Sequence, residues 1–531
     1  MNKLIYTIFF SICLSLTPVN FEINNNILLQ RDNSNSLPSN GVIDIEISSD
    51  ELIFYGTGGG LGKSIIQNGT PFFYSINEIG LPRGGNPAIF VDDSIIVVSG
   101  VTDTLAQGDY MSIGTGISIS QDYGETWIYF PQPIDPIPVN DVYLYTEWYG
   151  ETIKQLAVTV AINNVSYDVT VSGDYIYTAN WAGGIRRIKF RNNSPIIEGE
   201  EVSWEILPLP QDASYNLSCD EVLPSYYTLD PNDPMNGGNH NHKGFAVESQ
   251  GDSIIWVGTA NGINKGIINE NNCVSWTHYT SVNDGISGNW VIGFAIQELN
   301  TLPNPKIWAI TWSTNITEQN SISFSTDMGE TWSISNMITE LELKVFNISV
   351  FDEKVYIASD KGLYYSEDGI YFEKISRPIE YNLDGEIMEE ILSNSVYSVA
   401  ETNDFLWVGT GDGLGRTENI GLNWETYRFW EQPEPFYAYP NPFFVNSNNQ
   451  LNGDGHVRFI SNSNFNPYKL IIYDFSMNKV VEINDLRLIE DEVEVIWNGR
   501  NSLNQIVANG VYFCNLLSQS NNVWTKLVVI N

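Results

Sequence analysis

Short apolar runs alternate with turn-forming residues along most of the chain, between residues 41 and 430. The runs are rich in Val, Ile, Tyr and Trp, which suit pleated strands packed on both faces, and the region has no sustained helical periodicity. Gly, Asn and Asp separate the runs at close intervals, as expected for turns between short strands. The pattern therefore predicts an all-β fold.

One type of strand recurs seven times, as an apolar run that ends in a small residue and is usually followed by a Gly-rich turn. The copies are IFYGTGGGL from Ile53, IVVSG from Ile96, IYTANWAGG from Ile176, IWVGTANGI from Ile255, IWAITWS from Ile307, VYIASDKGL from Val355 and LWVGTGDGL from Leu406. With Thr57, Gly100, Ala179, Thr259, Thr311, Ser359 and Thr410 taken as equivalent, successive copies lie 43, 79, 80, 52, 48 and 51 residues apart. Four of these steps are typical of propeller blades, and the two longer steps require insertions.

Apolar blades cannot bury their faces alone, so they stack radially and close into a ring. We predict a seven-bladed β-propeller over residues 21–430, with insertions near residues 130–165 and 205–245. An eight-bladed propeller is the alternative if Asp141–Ile162 forms a blade of its own. We interpret that stretch as an inserted hairpin.

Two near-identical octets follow the repeated strand, SQDYGETW from Ser120 and STDMGETW from Ser325. Such an Asp can accept backbone N–H groups across a tight hairpin, the Gly tolerates positive φ, and the Trp can pack into the gap between blades. The octets resemble Asp-boxes, and degenerate copies begin at Ser366 and Thr417. We expect structural roles for Ser120, Asp122, Gly124, Trp127, Ser325, Asp327, Gly329 and Trp332.

A third element precedes the first strand of several copies, as LPSNGVIDIEIS from Leu37, DGISGNWVIGFAIQ from Asp284 and LSNSVYSVAE from Leu392. Together with LWVGT, it resembles the propeller repeats of two-component-regulator sensor domains. The resemblance implies the fold far better than the function, because sialidases, sortilin-like receptors and photosystem-assembly factors also carry Asp-boxes.

The composition changes at WEQPEP, which starts at Trp430, and this change indicates a Pro-rich linker over residues 431–437. The segment 438–531 then contains YPNPF from Tyr439, a strand with IIYDF from Ile471, WNGRN from Trp497 and NGVYF from Asn509. These ordered motifs resemble the Ig-like module of flagellar hook-assembly proteins, a small β-sandwich, and the sorting domains of type IX secretion. The resemblance implies that secretion machinery uses this module for secretion or surface display. A spacer that presents the propeller is the alternative.

The N-terminus has one cation, Lys3, before an apolar run from Leu4 to about Leu16. This length suits the core of a signal peptide and is too short for a membrane span. We predict a signal peptide at residues 1–20 and a secreted or cell-surface protein with no transmembrane helix after cleavage. Cys13 leaves with the signal, and the remaining three cysteines allow either a Cys219–Cys273 bridge or unpaired buried thiols.

The charge of the chain excludes some partners. The 531 residues include 25 Lys+Arg and 64 Asp+Glu, a net charge of -39. A nucleic-acid binder needs a basic surface, and adhesion to an anionic membrane needs a basic patch, so neither is expected here. Because 13% of the residues are aromatic, the chain is not a disordered acidic protein.

Turns after the second strands and the connections between blades should emerge on one face of the ring. We therefore expect Trp181, Trp290, Trp312, Asp360 and Asp412 on one rim, together with the insertion Leu207–Lys243. Exposed Trp beside Asp on a concave face would suit sugar stacking or a peptide anchor. Packing of these Trp side chains against the blade edges is the alternative.

His240 and His242 lie one residue apart in this insertion, and on an extended segment both would face one side. They are candidate metal ligands with a nearby Asp, while hydrogen bonds that shape the loop are the alternative. The loop Asn446–Asp454 is rich in Asn, Asp and Gly but lacks the order of an EF-hand. We predict no cofactor, although Ca²⁺ would suit the acidic surface.

No enzyme motif is present: the chain has no G-x-S-x-G, Walker loop, H-E-x-x-H or C-x-x-C sequence. The nearest match to the Arg-Ile-Pro signature of sialidases, Leu81-Pro82-Arg83, is out of order. We predict a non-catalytic module that binds a protein or glycan. A glycan-active hydrolase with two carboxylates and a structural or adhesive surface component are the alternatives.

Overall fold

The computed structural model describes residues 36–49, 51–106, 109–139, 141–190, 204–219, 221–224, 226–382, 385, 387–428, 436–445, 450–451, 454–462, 466–489, 492–518 and 522–531. The predicted signal peptide, most of the predicted linker and most of the loop Asn446–Asp454 lie outside these residues. Within the described ranges, no helix is long and apolar enough to cross a membrane.

The first half of the chain forms antiparallel sheets, each with its strands in sequential order. Sheet 1 contains β1 (Val42–Ser49), β2 (Leu52–Thr57), β3 (Gly60–Gln67) and β4 (Thr70–Ser75), and sheet 2 contains β5 (Ile89–Asp92), β6 (Ile95–Ala106), β7 (Asp109–Ser120) and β8 (Ile128–Phe130). A hairpin of β9 (Tyr143–Trp148) and β10 (Glu151–Leu156) follows. Sheet 3 contains β11 (Ser166–Ser172), β12 (Tyr175–Asn180), β13 (Gly184–Lys189) and β14 (Glu205–Leu207).

Two short strands, β15 (Asn216–Leu217) and β16 (Thr228–Leu229), precede the next sheets. Sheet 4 contains β17 (Gly244–Gln250), β18 (Ile254–Thr259), β19 (Gly262–Ile268) and β20 (Val274–Tyr279), with β15 added at its edge. Sheet 5 contains β21 (Trp290–Gln297), β22 (Lys306–Trp312), β23 (Ser321–Ser325) and β24 (Ser333–Ile334), and sheet 6 contains β25 (Val345–Phe351), β26 (Lys354–Ser359), β27 (Gly362–Ser366) and β28 (Glu373–Lys374). After the hairpin of β29 (Ile379–Tyr381) and β30 (Ile387–Glu390), sheet 7 contains β31 (Val396–Glu401), β32 (Leu406–Thr410), β33 (Gly413–Thr417) and β34 (Glu425–Tyr427).

The first strands of these sheets contact each other in cyclic order, and β31 of sheet 7 returns to β1 of sheet 1. The sheets therefore close into a ring whose innermost strands surround a central channel, which is a β-propeller. Among the described residues, seven sheets follow this plan. Asp141–Ile162, the alternative eighth blade, instead contributes the hairpin of β9 and β10, and β10 pairs in parallel with β16 to form a separate three-stranded sheet.

The repeated strand is the second strand of each sheet, and its central residue is buried in every case. These residues are Phe54, Val97, Tyr177, Trp256, Trp308, Tyr356 and Trp407, none more than 1% exposed. The register corrects one predicted equivalence: Asn180, not Ala179, pairs with the glycine of the following turn, as Thr57 and Thr259 do. In four sheets the hydroxyl at this position donates to the carbonyl oxygen of that glycine, with distances from 2.7 to 3.2 Å.

The two octets stabilise the hairpins between third and fourth strands. Asp327 Oδ1 accepts the backbone N–H of Thr331 at 2.9 Å, and its Oδ2 accepts the Thr331 hydroxyl at 2.6 Å. Asp122 has the same contacts with Thr126. The Trp of each octet packs on the preceding sheet, and Trp332 lies 6.1 Å from Trp256 between ring centroids. Each octet is therefore a local turn that also joins neighbouring blades.

Helical structure in the described ranges is limited to short segments. The α-helix α1 spans Asn336–Glu340, and 3-10 turns span Ala161–Asn163, Pro234–Asn236 and His240–His242. A disulfide joins Cys219 of the second insertion to Cys273 of sheet 4, while Cys514 is free and buried. The bridge that the sequence left open is thus present, and it attaches the insertion to the propeller.

The C-terminal segment forms two packed sheets. One contains β35 (Phe436–Tyr439), β39 (Val457–Asn462), β43 (Glu492–Trp497) and β42 (Arg487–Ile489); the other contains β36 (Phe443–Phe444), β45 (Asn522–Ile530), β44 (Gly510–Ser518), β40 (Pro467–Tyr473) and β41 (Lys479–Ile483). A small hairpin of β37 (Gln450–Leu451) and β38 (Asp454–Gly455) lies beside them. One core that includes Phe443, Phe459 and Trp497 lies between the sheets. The predicted fold class, an all-β propeller followed by a small β-sandwich, is confirmed.

Candidate functional site

Aromatic side chains from sheets 3 to 7 line part of one mouth of the central channel. In six sheets the first strand carries a β-bulge near its start, and in four of these the extra residue is aromatic: Tyr167, Phe245, Phe346 and Tyr397. A bulge turns its extra side chain out of the regular pleat. Here those rings reach the predicted rim residues and form the aromatic arc, which consists of Tyr167, Trp181, Phe245, Trp290, Trp312, Phe346 and Tyr397.

Successive rings of the arc are in contact across sheets 3 to 7. Trp181 lies 6.4 Å from Tyr167 and 5.4 Å from Phe245, and Phe245 lies 5.5 Å from Trp290. Trp290 pairs with Trp312 across β21 and β22, and the arc continues through Phe346 to Tyr397 at 6.2 and 5.6 Å. Tyr167, Trp181, Trp290, Phe346 and Tyr397 are partly exposed. The sequence predicted the three Trp positions but missed the bulged residues, because a bulge is a feature of strand pairing.

Trp312 is a correction to the expectation of an exposed Trp rim. Its side chain is buried, its Nε1 donates to the carbonyl oxygen of Val345 at 2.8 Å, and the Lys344 ammonium lies 4.2 Å from its ring centroid. Trp312 is therefore a buried member of the arc, while Trp181 and Trp290 are partly exposed to solvent.

Asp360 connects the turn between β26 and β27 to the residue before β25 of the same sheet. Its Oδ1 accepts the backbone N–H of Lys344 at 2.9 Å, and its backbone N–H donates to the Lys344 carbonyl oxygen at 3.1 Å. These bonds give Asp360 a structural role, and a ligand contact stays a prediction.

Asp412 is the second correction, because its side chain is buried between the propeller and the sandwich. Its Oδ2 accepts the backbone N–H of Leu392 at 2.7 Å, and its two carboxylate oxygens accept Arg458 Nη2 at 2.8 Å and Nε at 3.3 Å. Burial alone would raise the pKa of Asp412, but the charges of Arg428 and Arg458 outweigh burial and hold it well below its ordinary value. The prediction placed Asp412 on an open rim because the sequence does not show where the second domain docks.

The contact between the domains contains further charge pairs. Arg428 pairs with Glu389 at 2.8 Å, Arg458 with Glu494, and Glu390 with both Arg377 and Arg487. His456 is buried beside Asp412, and burial lowers its pKa to about 3 against the opposing charge of that carboxylate. Together these residues form the interdomain network, which consists of Arg377, Glu389, Glu390, Asp412, Arg428, His456, Arg458, Arg487 and Glu494.

Four carboxylates line the central channel, and sequence reasoning missed them. Asp44 and Glu46 lie on β1, Asp168 on β11 and Glu248 on β17. Burial raises the pKa of Asp44 to about 6 and that of Glu248 to about 7. Burial also raises the pKa values of Glu46 and Asp168 well above normal, and the other channel acids add to both shifts. The available signal was an acidic residue in the apolar first strand of three repeats.

Two of these carboxylates also join neighbouring blades. Asp44 Oδ2 accepts the backbone N–H of Ile89 in sheet 2 at 2.8 Å, and Asp168 Oδ2 accepts that of Val247 in sheet 4 at 2.9 Å. Glu46 is the next residue after Asp44 on the same face of β1, and Glu248 has the corresponding position on β17. Asp44 and Asp168 therefore have a structural role in joining neighbouring blades.

His240 and His242 lie in a 3-10 turn rather than on an extended segment. His242 is buried with its Nε2 3.0 Å from the carbonyl oxygen of Leu209, and burial lowers the pKa values of both imidazoles. The backbone N–H of His240 donates to Asp212, which shapes the loop. In the part of the chain that the structure describes, no three His, Cys, Asp or Glu side chains are grouped as metal ligands. A metal at this pair therefore has no third protein ligand among those residues.

No protein-family model and no curated protein sequence matches the chain. Similar solved structures include PorZ, an essential bacterial surface component of the type-IX secretion system of Porphyromonas gingivalis, at 13% identity and a TM-score of 0.37. The match covers 93% of this chain and 66% of PorZ, so the chain spans just under two thirds of that protein. Virginiamycin B lyase from Staphylococcus aureus matches at 13% identity and a TM-score of 0.40, covering 72% of this chain and 96% of the lyase.

YCF48 bound to D1 peptide matches at 11% identity and a TM-score of 0.39, covering 74% of this chain and 95% of YCF48. With such identities and TM-scores, the fold assignment rests on the sheet topology of the chain itself. The propeller in the predicted resemblance agrees with that topology. The secretion-sorting role of the sandwich stays a prediction.

Proposed function

We propose that this chain is an exported, surface-directed protein that binds a partner non-catalytically at the mouth of its propeller channel. The aromatic arc is the observation that carries the proposal, because it presents partly exposed rings on sheets 3, 5, 6 and 7, with the buried Phe245 of sheet 4 between them. Large, rigid rings provide contact area at a low cost in conformational entropy and are enriched in binding surfaces.

The charges below the arc indicate the kind of group that would enter the channel. Aromatic faces attract cations, and a positive group would stabilise the charged form of the channel acids, whose pKa values burial raises. A lysine or arginine side chain on an extended peptide would place its apolar stem against Trp181 and Trp290 and its charge toward Glu46 and Glu248. The proposed ligand is therefore a cationic peptide segment.

Titration of the full chain with Lys- and Arg-containing hexapeptides, followed by Trp fluorescence and calorimetry, tests this proposal. Trp181→Ala and Trp290→Ala should each weaken binding by about tenfold or more, in line with loss of an aromatic anchor. Trp524→Ala is the matched control, since this Trp is 49% exposed on the sandwich. Absence of peptide binding, or equal affinity in the two arc variants and the control, would contradict the proposal.

For the sandwich, we propose the role implied by its motifs, which is to direct secretion or surface display. A fusion of residues 436–531 to a periplasmic carrier should appear at the cell surface, because the sandwich has a core of its own. Deletion of Ala438–Asn531 alone is a weaker test, since it would also leave Asp412 and Arg428 without their sandwich partners. A carrier that stays in the periplasm would count against the sorting role.

Glycoside hydrolysis is the second candidate, and the channel carboxylates favour it. A glycosidase needs one acid that stays protonated near neutral pH, and burial raises the pKa of Glu248 to about 7. Release of reducing sugar by the wild-type chain and its loss in Glu248→Gln would support the hydrolase and overturn the non-catalytic proposal. Glu373→Gln, on the exposed strand β28, is the control.

A further inference from the structure

A second cavity, distinct from the channel, lies at the outer edge of sheet 3. Its volume is about 610 Å³, and three parts of the chain enclose it: strands β13 and β14, the inserted hairpin β9–β10, and the turn between β19 and β20. Small-molecule sites commonly enclose roughly 300–1,000 Å³. We call this cavity the insertion pocket, because one of its walls exists only through the insertion after sheet 2.

Aromatic rings contribute to two of the three walls of the insertion pocket, the hairpin and the edge of sheet 3, while the turn between β19 and β20 contributes Asn271 and Asn272. Trp148 and Tyr149 come from the hairpin, Tyr175 from β12, and Trp204 from the residue before β14. Trp148 is buried and packs edge-on against Tyr149 at 5.7 Å, while Tyr149 is 42% exposed. Trp204 is partly exposed, and its Nε1 donates to the Pro131 carbonyl oxygen at 3.0 Å, which fixes the plane of the indole. The pocket therefore offers ring faces in fixed orientations.

Planar polar groups between these rings are also held in place. Arg187 donates from Nε to Glu205 Oε2 and from Nη1 to the Asn272 carbonyl oxygen, both at 2.7 Å, and its guanidinium carbon lies 4.5 Å from the Tyr175 ring centroid. Glu205 itself remains half exposed, with one oxygen engaged by Arg187. When a guanidinium and a carboxylate are fixed side by side, the guanidinium can donate to one hydroxyl group of a ligand and the carboxylate can accept from the adjacent one.

The base of the pocket is a buried network. Arg186 donates from both terminal nitrogens to Asp135, at 2.8 and 2.9 Å, and both side chains are buried. Gln155 donates to the same carboxylate at 3.0 Å and accepts the Thr146 hydroxyl at 2.8 Å. These bonds connect the inserted hairpin to sheet 3, so the pocket is formed before any ligand arrives.

The third wall is held by covalent and polar links. The disulfide at Cys273 adjoins Asn271 and Asn272 in sequence, and the Tyr149 hydroxyl donates to the Asn271 carbonyl oxygen at 3.2 Å. The insertion thus crosses the pocket and contacts the opposite wall. Such preorganisation lowers the entropy cost of binding.

The charges that line the pocket decide the class of ligand. Its two arginines, Arg186 and Arg187, are each paired with a carboxylate, and Glu147 adds one further acid. No unpaired cation among the described lining residues would hold an anionic ligand. Ring faces together with paired planar hydrogen-bonding groups match the apolar faces and adjacent hydroxyls of a sugar. We propose that the insertion pocket binds a neutral oligosaccharide.

Calorimetry on the full chain tests the proposal with four neutral trisaccharides, cellotriose, maltotriose, mannotriose and xylotriose, and with trigalacturonate as the anionic probe. At least one neutral trisaccharide should bind. Tyr149→Ala and Glu205→Gln should each weaken that binding by about tenfold or more, through loss of a ring face and of a charged acceptor respectively.

Tyr145→Ala is the matched control, because this Tyr is 65% exposed on the same strand as Trp148 but does not line the pocket. Trp181→Ala, in the aromatic arc, should also bind the sugar normally, which separates this site from the proposed peptide site. Three results would each overturn the proposal: no binding of any neutral trisaccharide, preferred binding of trigalacturonate, or equal affinity in Tyr149→Ala and Tyr145→Ala.

Discussion

Arg458 of the sandwich donates two hydrogen bonds to Asp412 of the propeller, and both side chains are buried where the two domains meet. The pair joins residues 46 positions apart, on either side of the predicted linker. Arg428 and Glu494 extend it to a network in which every arginine has a carboxylate partner. The sandwich is therefore attached to sheet 7 by charges that would be costly to leave unpaired.

The first prediction concerns this pair. Arg458→Met should lower the free energy of unfolding by about 3–5 kcal/mol, because it leaves Asp412 buried without its main partner. Asp412→Asn should also destabilise the protein, and the double variant should lose less than the sum of the two, with a coupling of about 0.5–3 kcal/mol. Urea unfolding of the four proteins measures the cycle. Additive single effects would show that the contact is not energetically coupled.

The second prediction concerns pH and the channel. The folded pKa of Glu248 is about 7, above the unfolded value of 4.5. The stability that depends on protonation of Glu248 is therefore fully present below pH 4.5 and is lost as the pH rises through 7. Glu248→Gln should therefore raise the urea midpoint at pH 8 and change it little at pH 4. Glu373→Gln, which is exposed, is the control and should show no such difference. A gain that is equal at both pH values would contradict this reasoning.

The third prediction concerns the octets. Asp327→Ala removes the acceptor for the Thr331 backbone and hydroxyl groups and should lower the free energy of unfolding by about 1–3 kcal/mol. Glu330→Ala changes an exposed acid in the same octet and serves as the control. Thermal unfolding of both variants gives the comparison. If the two melt alike, the hydrogen bonds of Asp327 do not stabilise the blade.

The fourth prediction concerns the disulfide. Replacing Cys219 and Cys273 together by Ser should destabilise the protein by about 2–4 kcal/mol, because the bridge restricts the unfolded chain. Cys514→Ser is the control for loss of a thiol without loss of a bridge, and in the native protein Cys514 should react slowly because it is buried. Thiol titration before and after denaturation checks both points. Rapid native labelling of Cys514 would show that the sandwich core opens readily.

Much of the fold was determined by the sequence alone. The repeated second strand, an apolar run that ends in a small residue, predicted the sheets because strand burial has a short-range signature in apolar periodicity. The octets predicted their own hairpins, since the Asp, Gly and Thr that form the turn lie within a few residues of each other. The β-sandwich was implied by the resemblance of the ordered C-terminal motifs to a known Ig-like module.

Other features were decided by tertiary structure. The bulges that bring Tyr167, Phe245, Phe346 and Tyr397 to the channel mouth depend on pairing between strands, and the channel acids become neighbours only when the ring closes. Asp412 has the appearance of a rim residue in the sequence, yet domain docking buries it beside Arg458. The insertion pocket likewise combines segments that lie far apart in the chain. Local patterns specify strands and turns, whereas burial of charge and the shape of a cavity depend on which distant segments meet.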